Sequence, residues 1–204
     1  MGDAMRGVGS EHDAKRGAIV DAALRTTERG GVESLTFRAV ATEAGVSLGR
    51  VQHYFANRTE LLQAAYARVQ QLAQERVTAE LVASGGAGSG RAVVTAVLQA
   101  LIPVTPTAHA HLRVTQMFDT AAMTDAAMLR QLRDGHAQLL DFLADQLAQA
   151  QSAGEVAARV DPARAALALL ATAEGLSSIV LIGHTPAPIA KDALHQQLAA
   201  ALDD

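Results

Sequence analysis

GVSLGRVQHYFANR, residues 45–58, decides the architecture of this chain. Gly45 can take the positive φ that a sharp corner demands, and Ser47 can cap the segment that follows. Within that segment Val51 and Phe55 are spaced i, i+4 and can turn inward together. That leaves Leu48, Gly49, Arg50, Gln52, His53 and Tyr54 largely outside. Upstream, Thr36 is a natural N-cap for a short helix ending near Ala44, whose small residues Ala39, Ala41 and Ala44 permit close crossing. Helix, glycine turn and helix make a helix-turn-helix unit. Arg and Gln can each read a purine edge through two hydrogen bonds, whereas Tyr and His reach phosphate oxygens. Arg58, at the start of the next helix, is placed for a phosphate beside a helix N-terminus.

Working outward, nothing reads as strand, and most segments are rich in the helix formers Ala, Leu, Gln and Arg. Residues 1–10 read as a disordered tail. A first helix runs from about Glu11 to Arg29, with Ile19, Ala22, Ala23 and Thr26 on one face and Gly30-Gly31 ending it. Asn57 caps a long fourth helix in which Leu62, Ala65, Val69, Leu72 and Arg76 keep the helical period. SGGAGSG, residues 84–90, looks superficially like a phosphate cradle. Such cradles follow a strand, so a flexible helix–helix connection is the better reading. Further helices are expected near 91–102, 106–122, 125–152, 161–183 and 187–202. Asp161-Pro162 is a strong start signal, a capping Asp with Pro at the first helical position. The expected fold is all-α with nine helices: a helix-turn-helix domain over 11–58, then a helical domain over 59–204.

The chain has 204 residues and a formal net charge of -4, with half of its residues apolar and no cysteine. Disulfides, thiol nucleophiles and cysteine metal sites are therefore excluded. The N-terminus has no apolar signal-peptide core, and apolar runs such as Ala165 to Ala173 fall short of the ~20 residues of a membrane span. These features lead us to expect a cytoplasmic protein with no membrane partner. Residues 1–60 hold eight basic and eight acidic side chains, against nine and thirteen in the remainder. The excess acidity thus lies outside the helix-turn-helix, and phosphate affinity depends on local contacts. Enzyme motifs are missing: no His-Glu-x-x-His, Walker or nucleophile-elbow pattern occurs. His109 and His111 are two residues apart, ~200° around a helix, and do not converge on one metal. No catalytic residue, metal or cofactor is expected.

Residues 16–70, which include RGAIVDAALRTTERGG, then LTFRAVATEAGVS, LGRVQHYF and ANRTELLQAAYARV, resemble the N-terminal domain of the TetR family of bacterial transcriptional repressors. The shared features are an Ile-x-x-Ala-Ala opening helix, a Thr-led second helix, a Gly-Val-Ser turn, a Tyr-Phe close and an Asn-led fourth helix. The resemblance implies DNA contacts at Thr36, Arg38, Ser47, Arg50, Gln52, His53, Tyr54 and Arg58. Gln52 stands where the family usually has Tyr, Leu48 where Lys is frequent, and Arg58 where Lys is usual. It also implies that residues from about 60 onward bind a small-molecule effector and dimerise.

LIPV (101–104), RVTQMFDTAAM (113–123) and DPARAALALLATAEGL (161–176) resemble the C-terminal domain of BetI-like members. That view puts an effector pocket among the helices 106–122, 125–152 and 161–183. Its expected lining is Met117, Phe118, Met123 and Phe142, with Arg113, Gln116, His136 and Glu174 as polar groups. Aromatic content is only 3%, with no Trp, so a cage for a quaternary ammonium is poorly furnished. Homodimerisation is expected through helices 161–183 and 187–202, using Leu167, Leu170, Ala171, Leu181, Leu194, Leu198 and Leu202. The function implied is a ligand-responsive repressor that binds double-stranded operator DNA as a homodimer. The alternative is a helical protein-interaction module without specific DNA binding.

Overall fold

The computed structural model describes the backbone of residues 3–83 and 88–203, with the side chains of 12–82 and 88–203. Among these residues there are nine α-helices, one 3-10 turn and no strand. The helices are α1 (Asp3–Gly30), α2 (Phe37–Ala44), α3 (Leu48–Tyr54), α4 (Arg58–Ala83), α5 (Gly90–Leu101), α6 (Pro106–Ala122), α7 (Ala126–Ser152), α8 (Pro162–Leu181) and α9 (Ala187–Asp203). The 3-10 turn, Val32–Ser34, links α1 to α2. The backbone from Asp3 to Ser10, expected as a tail, is already helical. Residues 84–87 of the expected Gly-rich connection lie outside the described residues.

Local chemistry sets most of the helix starts. The Asp161 carboxylate accepts from the N–H groups of Ala163 (3.1 Å) and Arg164 (3.2 Å), with Pro162 next in line. Asp125 does the same for Ala127 and Met128 at 2.9 and 3.0 Å, starting α7 one residue later than the sequence suggests. At α5 the cap is Ser89, which accepts from Ala92 N–H at 3.2 Å.

The chain divides into two units. The first comprises residues 1–71 and 113–128. Its core gathers Ile19, Ala22 and Ala23 of α1, Leu35, Val40 of α2, Val51 and Phe55, Leu61, Ala65 and Tyr66 of α4, and Phe118 of α6, each buried. Thr26 and Thr27 are buried too, and each hydroxyl donates to a carbonyl one turn back, Ala22 and Ala23. That satisfies them where water is excluded.

The second unit comprises residues 72–112 and 129–204. Its core joins Val93, Val94, Val97 and Leu98 of α5, Leu143 and Leu147 of α7, Ala166, Leu169, Leu170 and Ala173 of α8, and Leu194, Leu198 and Leu202 of α9. Here the structure corrects an expectation. Leu170, Leu194, Leu198 and Leu202, read as dimer-face residues, are 0–3% exposed and fill the core of their own unit. Helical spacing identifies an apolar stripe without saying which surface covers it.

Candidate nucleic-acid interface

The helix-turn-helix is assembled from weak local parts. α3 is seven residues long, below the ~12–15 at which an isolated helix becomes even marginal. Its stability comes from its ends and its inward face. Thr36 Oγ1 accepts from Ala39 N–H (3.2 Å) to open α2, and Ser47 Oγ accepts from Arg50 N–H (3.2 Å) to open α3. Between them Gly45 sits at φ 66°, ψ 30°, and the Val46 N–H reaches back to the Ala41 carbonyl at 3.0 Å. This is the glycine-terminated helix end that the sharp corner needs. Val51 and Phe55 are 0% and 1% exposed, contributing about 1.5–3 kcal/mol each by burial.

With those two inward, Arg50, Gln52 and His53 are exposed on α3, and Arg38 is exposed on α2. Tyr54 is half-buried, more enclosed than the sequence reading placed it. Thr36 and Ser47 are exposed, but their oxygens are occupied as helix caps. Each hydroxyl still has a proton to donate to a phosphate oxygen.

Two acidic groups beside the helix-turn-helix, Glu43 and Glu60, are engaged within the unit. The carboxylate of Glu43 on α2 lies 2.7 Å from Arg25 and 2.7 Å from Arg29 of α1. The Arg25 hydrogen bond, opposed by desolvation and aided by Arg29, holds its pKa below the ordinary carboxylate value. Glu60 accepts the Ala56 N–H at 2.7 Å while Asn57 accepts the Glu60 N–H at 2.9 Å. Asn57 thus caps α4, and Glu60 reaches back to the residue before that cap, a variant of the capping box.

Arg58 is placed differently from the expectation of a phosphate ligand. Its Nε donates to the Leu35 carbonyl (3.0 Å), its Nη2 donates to the Val32 carbonyl (2.8 Å), and Glu33 is 3.8 Å away. The side chain pins the α1–α2 connection to the start of α4. Those carbonyls lie in and just after the Val32–Ser34 turn, a partnership that sequence spacing does not reveal.

The eight residues expected to line an effector pocket fall in both units. In the first, Phe118 is fully buried with its ring 5.7 Å from that of Tyr66, so it packs the core. Arg113 pairs with Glu28 at 3.3 Å, and Met123 is 65% exposed at the end of α6. Gln116 and Met117 are half-buried on α6. In the second, His136 Nε2 and Glu174 Oε1 meet at 3.2 Å across α7 and α8, and Phe142 is exposed. A cavity of about 300 Å³ opens in the second unit beside α4 and α5, lined by Glu80, Ser89, Arg91, Ala92, Thr95, Ala96 and Gln99. None of the eight belongs to that lining.

One apolar face of the second unit is open. Leu167 and Ile179 of α8, Ile182 just past its end and Ile189 of α9 are 58%, 37%, 78% and 58% exposed. By length and composition alone, α8 is apolar enough to cross a membrane, although its continuous apolar run is short. Only 33% of its most apolar window is buried within the chain.

Comparison with known proteins gives these features a context. Residues 19–65 match the family model of bacterial regulatory proteins, tetR family. Residues 90–204 match that of the C-terminal portion of BetI-type transcriptional repressors. The nicotine-responsive transcriptional repressor HdnoR of Paenarthrobacter nicotinovorans is 46% identical over 57 residues, 28% of this chain and 29% of that one. Curated relatives are thus matched over about a third of their length or less, 29% and 33% for two of them. A putative TetR-family transcriptional regulator from Rhodococcus sp. superposes with a TM-score of 0.78 at 26% identity, over 92% of this chain and 98% of the other. A putative transcriptional regulator from Saccharomonospora viridis, solved in complex with choline, superposes at 0.82 and 20% identity, covering 93% and 98%.

Proposed function

The chain belongs to the TetR family of helix-turn-helix transcriptional regulators, and from that premise we propose that it represses transcription by binding operator DNA as a homodimer and releases it on binding a small-molecule effector. The observation that carries this reading is the α2–α3 unit. Arg38, Arg50, Gln52 and His53 are exposed there, while Glu43 is neutralised by Arg25 and Arg29. A cationic, amide-bearing face results in a chain whose net charge is negative. Phosphate contacts by Arg38, Tyr54 and the Thr36 and Ser47 hydroxyls set the register, and Arg50 and Gln52 read base edges.

A dimer supports two recognition helices one turn of DNA apart, ~34 Å. The open apolar face of Leu167, Ile179, Ile182 and Ile189 is suited to the subunit contact. Effector control is then a coupling free energy between sites: the effector favours a conformation whose recognition helices no longer match successive major grooves. α4 and α6 each contribute residues to both units, which suits them to carry that coupling. In the first unit the Tyr66 hydroxyl donates to Asp119 Oδ1 at 3.2 Å, tying α4 to α6.

The test begins with duplexes that the purified protein enriches from a random pool, followed by fluorescence anisotropy. Salt-sensitive binding with a preferred sequence is expected. Gln52→Ala should shift the preference at one position, by about 1–3 kcal/mol of discrimination. Tyr54→Ala should weaken binding to all sequences alike. Failure to enrich any sequence would leave the chain as a helical interaction module, and an equal loss on every duplex for both variants would overturn the division of roles.

A further inference from the structure

The family match begins at residue 19, but α1 begins at Asp3. The turns that precede the match are applied to the end of the recognition helix. The His12 ring centroid lies 4.7 Å from that of Tyr54, tilted by 52°, and 6.4 Å from that of His53, edge-on at 74°. His53 and Tyr54 meet each other at 5.2 Å and 78°. One turn along α1, the Arg16 guanidinium sits 4.9 Å from the centre of the Phe55 ring, and Ile19 enters the core. His12, Arg16 and Ile19 are spaced i, i+4, i+7, so they form one stripe of the helix. The stripe that docks α1 into the core therefore continues past the core, onto the last turn of α3.

That turn has little support of its own. Tyr54 is the last residue of α3, and Phe55 already leaves helical geometry at φ -136° and ψ 119°. An aromatic side chain at a helix end must surrender rotamer freedom when it binds, which weakens the complex. A neighbouring ring that already holds it removes part of that cost.

We infer that His12 is a positioning residue of the DNA interface, its ring holding Tyr54 and His53 in the orientation in which they meet the phosphate backbone. The inference rests on the DNA-binding reading above. His12 acts through its ring: half of its side chain stays exposed (52%), and its Nδ1 is 3.7 Å from the neighbouring Asp13 carboxylate. A ring without charge should therefore replace it.

The experiment uses the full chain and a duplex that the wild type has enriched from a random pool. It compares His12→Ala, His12→Phe, Tyr54→Ala and the double variant His12→Ala/Tyr54→Ala. His12→Ala should weaken binding roughly threefold to tenfold, the worth of one aromatic pair. His12→Phe should stay within about twofold of wild type, and the double variant within about twofold of Tyr54→Ala alone, because the two residues act as one unit. Thermal unfolding of His12→Ala and His12→Phe should match the wild type, since His12 lies outside the core.

Wild-type affinity in His12→Ala would overturn the inference. So would an equal loss in His12→Phe, which would assign the effect to the imidazole nitrogens. Losses that multiply in the double variant would show that His12 does not work through Tyr54. If the wild type enriches no duplex, the DNA-binding reading fails, and the role of His12 fails with it.

Discussion

Tyr66 shows how much a single side chain can report at the residue scale. It is fully buried on α4, its ring lies against Phe118, and its hydroxyl donates to Asp119. Burial foremost, and then the Asp119 charge, disfavour the phenolate and push its pKa from 10.0 up to about 12. A raised folded-state value means that the neutral form stabilises the fold. The contribution is complete below pH 10 and is lost as pH rises toward about 12. Wild-type stability should therefore fall more steeply across that window than that of Tyr66→Phe, as followed by denaturant unfolding at fixed pH values. Parallel slopes would rule out the linkage. The same variant should lack the late phase in a spectrophotometric tyrosinate titration. The capping residues Thr36, Ser47 and Asp161 are legible from the chain alone, because a cap bonds its own next turn. Arg58 and Glu43 are not, because their partners are brought from 14 to 26 residues away.

Elements pose a different problem, since a helix is positioned by how closely its neighbour can approach. Gly90 opens α5 against α7 in the second unit, and a Cβ there would run into the Gln146 carbonyl oxygen, with Ala150 N at 3.2 Å. Two effects compete in Gly90→Ala: alanine is the better helix former by about 1 kcal/mol, but overpacking against backbone costs roughly 1–3 kcal/mol. A main-chain carbonyl cannot rotate away as a side chain can, so the clash should win and the variant should be less stable. Denaturant titration measures this, and a stabilised Gly90→Ala would show that α5 shifts freely. From the sequence this glycine belonged to the Gly-rich connection, where its role reads as flexibility. Only the neighbouring helix reveals it as a point of close contact. Arg91, next along, donates to both carboxylate oxygens of Asp203 and to the Glu155 carbonyl (3.2 Å), a link between α5 and the last turn of α9.

At the scale of the whole molecule, the surface that matters is the exposed apolar face of α8 and α9. Its exposed members Leu167, Ile179, Ile182 and Ile189 would need to contribute to a contact burying about 1,200–2,000 Å² for a stable subunit pair. The wild type should sediment as a dimer at concentrations that bind DNA. Leu167→Glu/Ile182→Glu should sediment as a monomer with unchanged helix content and greatly weakened operator binding. A dimeric variant, or a monomeric wild type, would remove α8 from the interface. The order and nature of the helices and the helix-turn-helix corner are legible in the chain. Periodicity, caps and glycine turns act over a few residues, and every expected helix is found within a few residues of its place, apart from the early start of α1. The tertiary structure decided which apolar stripes are spent on the chain's own core. It took Leu194, Leu198 and Leu202 inward and left Leu167 and Ile182 outside, because a stripe's partner depends on packing between distant segments. It also brought His12 onto Tyr54 across 42 positions of sequence, since ring contacts depend on where helices cross.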